Sequence, residues 1–214
     1  MASRKKPAPK SARRRTLKPK TDNQSTYVTC MATSDVTFCS GPAGSGKTSM
    51  AVGLACECLL EKRVSKIIIT RPVVESGRGL GHLPGTLIEK INPYLIQHNV
   101  EAYRDSNAIE LCPLEYMRGR NFHDCFMILD EAQNATFEQI KMFVTRIGRN
   151  SKAVINGDLQ QSDLGIESGG LLTCMDALYD VDGVSVCELD YCDIIRSDVI
   201  AKILRKLNEN TKRQ

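Results

Sequence analysis

Short runs of apolar, often β-branched residues alternate along this chain with longer stretches whose apolar positions recur at helical spacing. The runs at 36–39, 67–70, 126–129, 153–156 and 184–189 predict strands. Helices are predicted at 50–60, 83–97, 136–147, 170–178 and 197–207. Near-continuous apolar strands need cover on both faces of their sheet. The pattern therefore predicts an α/β domain, a mostly parallel sheet with helices on both faces. At 214 residues the chain suits a single domain plus a tail. No internal repeat is visible, and no low-complexity segment outside that tail.

Charge separates the tail from the rest. Residues 1–20 hold nine Lys or Arg, three prolines and no acid, while the whole chain carries only +4, so residues 21–214 carry about −5. A segment with so little to bury is expected to be disordered, which divides the chain into a basic tail at 1–21 and a domain at 22–214. Such an arm attracts polyanions, nucleic acid first, although a solubilising tail has the same composition. No apolar segment follows the charges as in a signal peptide, and no apolar run reaches the roughly 18 residues of a membrane span. A soluble cytoplasmic protein without a membrane partner is expected, in the host cytoplasm if the gene is viral. The nine cysteines are odd in number and several, Cys39, Cys56, Cys125 and Cys187, sit in apolar patterns, so buried thiols are expected. With no C-x-x-C pair and with His82, His98 and His123 isolated, no zinc site is expected.

The strongest chemical signal is Gly41-Pro42-Ala43-Gly44-Ser45-Gly46-Lys47-Thr48, followed by Ser49. It fits the G-x-x-x-x-G-K-[ST] phosphate loop at every required position, between a predicted strand and a predicted helix. The glycines let successive backbone N–H groups turn around phosphate oxygens at a helix N-terminus. Lys47 would reach the β- and γ-phosphates of ATP, and Thr48 would hold Mg²⁺ through its hydroxyl. A second motif, the apolar strand 126–129 ending in Asp130-Glu131, reads as a Walker B: Asp130 orients the Mg²⁺ shell and Glu131 polarises the attacking water. After strand 153–156 comes Gly157-Asp158-Leu159-Gln160-Gln161, placed where a γ-phosphate sensor would face the same crevice; Asp158 and Gln161 would couple hydrolysis to movement of bound polymer, although a plain polar turn has the same pattern.

Together these motifs resemble the PhoH family of P-loop ATPases, related to the first RecA-like lobe of superfamily 1 helicases, over roughly residues 22–208. Thr70-Arg71-Pro72-Val73-Val74-Glu75 with Leu80-Gly81-His82-Leu83-Pro84-Gly85 is similar to the family's T-R-P block and its continuation. Pro113 to Arg120 resembles its P-x-x-x-M-R-G-R element, and Asp130-Glu131-Ala132-Gln133-Asn134 its D-E-A-Q-N. Gln24 resembles the helicase glutamine that hydrogen-bonds adenine. Three positions depart from the pattern: Ser45 where Thr is usual, Arg78 where an acid is usual, and Ser197 where a histidine commonly follows the arginine. None touches the phosphate chemistry.

The resemblance implies a single RecA-like P-loop NTPase domain that uses ATP and Mg²⁺ and works as a helicase-like motor on RNA or single-stranded nucleic acid. One lobe lacks the second wall of a helicase site, so a homo-oligomeric ring, a hexamer, is implied, with an arginine reaching the neighbour's nucleotide in trans. Arg196 is the first candidate and Arg118 or Arg120 the second, while Arg71 would contact polymer backbone. No nuclease segment of the kind fused to longer relatives is expected, so RNase activity is not implied. Two other readings stand beside this one: a thymidine kinase-like nucleoside kinase, which shares the phosphate loop and D-E-A-Q, and a nucleic-acid-binding scaffold switched by ATP.

Overall fold

In a computed structural model that describes residues 17–72, 107–161 and 169–194, the apolar runs lie side by side as one six-stranded sheet. The strands are β1 (Val36–Ser40), β2 (Lys66–Thr70), β3 (Ile109–Leu111), β4 (Cys125–Leu129), β5 (Lys152–Gly157) and β6 (Val184–Glu188). Their order is β3-β2-β4-β5-β1-β6, and every pairing is parallel. The strand order reverses beside β1, so the carboxyl ends of β1, β5 and β4 open onto one crevice.

Period-two alternation distributes the strand residues between two cores. Ile67, Ile69, Phe126, Ile128 and Val154 face α1 (Asp22–Thr33) and α2 (Lys47–Leu60). Ile68, Met127, Leu129, Ala153 and Ile155 face α3 (Phe137–Val144) and α4 (Gly170–Leu178). Both faces of β1, β2, β4 and β5 are thus covered, as their apolar runs required, while the edge strand β6 leaves Val186 and Glu188 exposed.

Five strands fall where the sequence placed them. The sixth, β3, is three residues long with Glu110 at its centre, where Lys66 and Arg120 neutralise it, and so carries no apolar run. Helix α2 begins at Lys47, inside the phosphate loop, and not at residue 50. Helix α3 opens with a Thr136/Gln139 capping box and ends three residues before the predicted 147. Helix α1 was not predicted, because it buries only Gln24, Tyr27 and Met31. The helices expected at 83–97 and 197–207 lie outside the described residues, as does the basic tail through residue 16. Residues 17–21 of that tail pack on the domain: Leu17 N–H donates to Glu57 Oε1 (2.7 Å), and Thr21 caps α1.

Seven cysteines are buried, and only Cys192 is exposed. Burial pushes the thiols of Cys56 and Cys187 up to about 12, so they serve as packing groups without nucleophilic character. No described helix is long and apolar enough to cross a membrane.

Candidate nucleotide-binding site

The crevice is a cleft of about 570 Å³ lined by the phosphate loop, Asp130, Glu131, Asn156, Asp158 and Gln161. That size suits a small-molecule ligand. Gly46 caps α2 in the left-handed region (φ 97°), and a Cβ there would stand 2.9 Å from Gln24 Nε2. No side chain caps this helix, so its first N–H groups remain for a ligand.

Lys47 Nζ donates to the carbonyls of Gly41 and Pro42, folding back on its own loop. Burial lowers its pKa below the ordinary lysine value, opposed chiefly by the nearby Asp158 carboxylate. Phosphate oxygens would hold the ammonium form and raise that pKa, so binding takes up a proton wherever the pH exceeds the lowered value. ATP affinity is therefore expected to fall with rising pH sooner than an ordinary lysine would deprotonate. Fluorescent-nucleotide titrations across alkaline pH check this, with Lys47→Arg expected to stay flat over the same range.

Opposite the loop, Thr48 donates to Asp130 Oδ1 (2.8 Å), and Arg71 lies on Asp130 Oδ2 through Nη2 (2.6 Å) and Nε (3.2 Å). The carboxylate is only 2 % exposed, and the arginine balances its charge. A hydroxyl and a carboxylate side by side at a phosphate loop are the hard oxygen donors that suit Mg²⁺.

Glu131, the next residue, is exposed at the cleft and held in the left-handed region (φ 57°), a conformation that costs a non-glycine residue about 1–2 kcal/mol. Gln133 Nε2 donates to Glu131 Oε2 (2.9 Å), while Gln133 Oε1 accepts the Asp158 N–H (3.0 Å). Asp158 Oδ2 in turn accepts the Ala43 N–H of the phosphate loop (3.1 Å). A continuous hydrogen-bonded path thus joins Glu131 to the loop. It requires glycine at 157, where a Cβ would meet Leu171 Cδ2 at 2.3 Å and Gln133 N at 3.0 Å.

The family model described as PhoH-like protein matches residues 16–208. The chain belongs to the PhoH family. It is 45 % identical over 208 residues to a PhoH-like protein of Bacillus subtilis and 44 % identical over 206 residues to one of Mycobacterium tuberculosis. Each alignment spans 91 % of this chain, but 65 % and 58 % of those relatives. This PhoH chain therefore matches less than two thirds of their length. Among solved structures, the large terminase of a thermophilic bacteriophage superposes with a TM-score of 0.53 at 12 % identity, covering 88 % of this chain and 50 % of that one. A complex of the same terminase with ADP gives the same TM-score. These likenesses show the RecA-like P-loop NTPase fold expected from the motifs.

Within this PhoH domain Ala43, Gly44, Gly46, Lys47, Thr48 and Ser49 of the phosphate loop line one cleft with Asp130, Glu131 and Gln161, whereas Gly41, Pro42 and the buried Ser45 do not line it. Gln24 also lines it, but the protein engages its amide: Nε2 donates to the Ser45 and Asp193 carbonyls (2.8 and 3.5 Å), and Oε1 accepts the Lys20 N–H (2.9 Å). Here Gln24 fastens the phosphate loop to α1 and to the turn at Tyr191–Asp193. Arg118 and Arg120 do not line the cleft. Arg120 forms a two-pronged pair with Glu110 (2.6 and 3.1 Å), and Arg118 is exposed. Arg196, like the Leu80–Gly85 continuation of the T-R-P block, lies outside the described residues.

Lys18, Lys20, Asn156 and the linking role of Gln133 were not singled out in the sequence. The lysines were counted with the tail by charge alone, yet both line the cleft. Gln133 belongs to the D-E-A-Q-N motif but had no role there, because only the fold brings Asp158 to it.

Proposed function

We propose that this PhoH domain binds ATP with Mg²⁺ and hydrolyses it, coupling turnover to RNA or single-stranded nucleic acid within a ring of identical subunits. The observation that carries the reading is the Thr48–Asp130 contact beside Lys47, with Glu131 held at the lip by Gln133. On binding, Lys47 leaves the Gly41 and Pro42 carbonyls for the β- and γ-phosphates, and the loop N–H groups take phosphate oxygens. Thr48 and Asp130 would hold Mg²⁺, which neutralises charge on the phosphates when bound. Glu131 accepts a proton from the attacking water, its carboxylate oriented by the Gln133 amide. Adenine recognition by Gln24 belongs to the same proposal and requires its amide to exchange a protein partner for the base.

Nucleic acid enters through charge. The basic arm leads directly into Lys18 and Lys20 at the cleft, and Arg71, assigned to polymer backbone, here holds Asp130. A polymer phosphate that draws Arg71 away would alter the metal-site carboxylate, coupling the two ligands. Measuring ATP turnover with and without RNA, single-stranded DNA and thymidine separates the readings. A motor is accelerated by polymer, a scaffold is not, and a nucleoside kinase requires thymidine.

The arm has its own expected result. Deleting residues 1–16 removes seven of the nine tail charges but spares Leu17–Thr21, which pack on the domain. The slope of log affinity for single-stranded nucleic acid against log salt is expected to flatten by up to about 5. An unchanged slope would leave the arm as a solubility element.

A further inference from the structure

Helix α1 is preceded by Leu17-Lys18-Pro19-Lys20-Thr21, a segment whose sequence favours an extended backbone, because the proline at 19 disfavours helical geometry at Lys18. Alternate side chains of an extended segment point to opposite sides. Here Leu17 and Pro19 are half-buried, Leu17 against the core that α1 and α2 cover, while Lys18 and Lys20 are exposed and line the nucleotide cleft. Three hydrogen bonds fasten the segment: Leu17 N–H donates to Glu57 Oε1 of α2 (2.7 Å), Lys20 N–H to Gln24 Oε1 (2.9 Å), and the Thr21 hydroxyl to Asp193. Gln24 in turn donates to the Ser45 carbonyl of the phosphate loop (2.8 Å). Neither lysine ammonium has a hydrogen-bond or ion-pair partner among the described residues.

Strand order gives the segment its side of the cleft. Asp193 belongs to the turn after β6, and β6 flanks β1 on the side away from β5 and β4. Lys18 and Lys20 therefore approach the phosphate loop from the β6 side, whereas Asp130, Glu131 and Asp158 follow β4 and β5 on the other. The charged lining of the cleft is Lys18, Lys20 and Lys47 against Asp130, Glu131 and Asp158. Even with Asp130 balanced by Arg71, Lys47 alone would face two carboxylates. ATP with Mg²⁺ is itself anionic, and such a wall would repel it. The proposed site puts the terminal phosphate and Mg²⁺ on the carboxylate side, at Thr48 and Asp130, which leaves the α-phosphate and ribose to the β6 side. We propose that Lys18 and Lys20 form a cationic strap over the α-phosphate and ribose of the bound nucleotide, holding ATP and ADP alike. The inference rests on the proposed ATP site and adds to it two binding residues that precede the first helix.

The test is equilibrium binding of a non-hydrolysable ATP analogue and of ADP, each with Mg²⁺, to full-length wild type and two double variants, Lys18→Gln with Lys20→Gln and Lys18→Arg with Lys20→Arg. Both lysines are exposed, so the unliganded variants should keep the wild-type melting temperature. The glutamine pair should bind the ATP analogue and ADP each roughly 5–20-fold more weakly, because two solvent-facing cation–phosphate contacts are lost. Both nucleotides carry the α-phosphate, so their affinities should fall together. Added salt screens such contacts and should narrow the gap to wild type. The arginine pair keeps both charges and should stay within about threefold of wild type. Unchanged nucleotide affinity in the glutamine pair would overturn the inference, and a fall in its affinity for single-stranded RNA alone would give the lysines to the polymer. A loss confined to the ATP analogue, or one equalled by the arginine pair, would overturn it as well. Wild type binding neither nucleotide would overturn the ATP reading beneath it, a result distinct from these.

Discussion

Glu131→Gln should bind Mg²⁺ and ATP about as well as wild type and turn ATP over about 10²–10⁴-fold more slowly, the range a positioned general base contributes. The expectation follows from where the carboxylate sits. Glu131 is exposed at the cleft mouth, outside the Thr48–Asp130 pair that suits the metal, and the Gln133 amide donates to it. A glutamine keeps the size and can still accept from Gln133, so binding geometry survives while basicity is lost. Lys47→Ala should behave in the opposite way. It removes a cation from the phosphates and is expected to weaken nucleotide affinity by at least about tenfold, with turnover falling too. Measuring affinity and single-turnover rate for both variants separates the roles. A Glu131→Gln protein that hydrolyses ATP at the wild-type rate would remove Glu131 as the base.

Gln133 and Arg71 place further limits on this site. Gln133→Ala would release both Glu131 and the Asp158 N–H, so its effect should fall on turnover more than on affinity. Arg71 partly neutralises a carboxylate that is almost wholly buried, and losing one partner of such a pair leaves an uncompensated charge. The cleft carboxylates Glu131 and Asp130 are thus coupled to two elements, the β5 turn and the T-R-P block, that the sequence treats as separate motifs.

What could be read from the sequence follows from how local the governing chemistry is. The phosphate loop was legible because phosphate binding dictates glycine, lysine and hydroxyl at fixed spacing within eight residues. Four strands, β1, β2, β4 and β5, were legible because burial on both faces leaves them largely apolar, and β6, an edge strand with Val186 and Glu188 exposed, was legible from its β-branched valines. Strand β3 was not, since it is short and Glu110 at its centre is paired by Lys66 and Arg120 from other segments. Helix α1 was not, because a helix that buries only Gln24, Tyr27 and Met31 shows almost no apolar face. The link made by Gln133 depends on a partner 25 residues away, Asp158, and the Tyr27–Asn156 hydrogen bond joins residues 129 apart, which the chain brings close only by folding. Lys18 and Lys20 show the converse error: charge counting assigned them to a tail, whereas the backbone bonds of Leu17 and Lys20 place them at the cleft.

Mixing two inactive variants, Arg196→Ala and Lys47→Ala, should restore part of the ATPase activity if the site is completed by a neighbouring subunit. The described domain supplies the phosphate loop, the metal-suited Thr48–Asp130 pair and Glu131 around one cleft, and Glu131 and Gln161 are exposed. Charge developing on a transferred phosphoryl group is stabilised by an arginine worth roughly 10³–10⁵ in rate. Arg71 is held on Asp130, and Arg120 is held by Glu110 and stacked 4.6 Å over the Phe122 ring, so neither points unengaged at the phosphates. Arg196 and the exposed Arg118 are therefore the trans candidates to test. In a mixed ring, some interfaces join an intact Lys47 site to an intact Arg196 of the next subunit, and only those turn over. Size measurements with ATP and Mg²⁺ must show mixed assemblies before the rates are compared. Verified mixed rings without recovery would move the role to Arg118, tested by the same pairing. A wild-type monomer that hydrolyses ATP at the full rate at all dilutions would exclude a site shared between subunits.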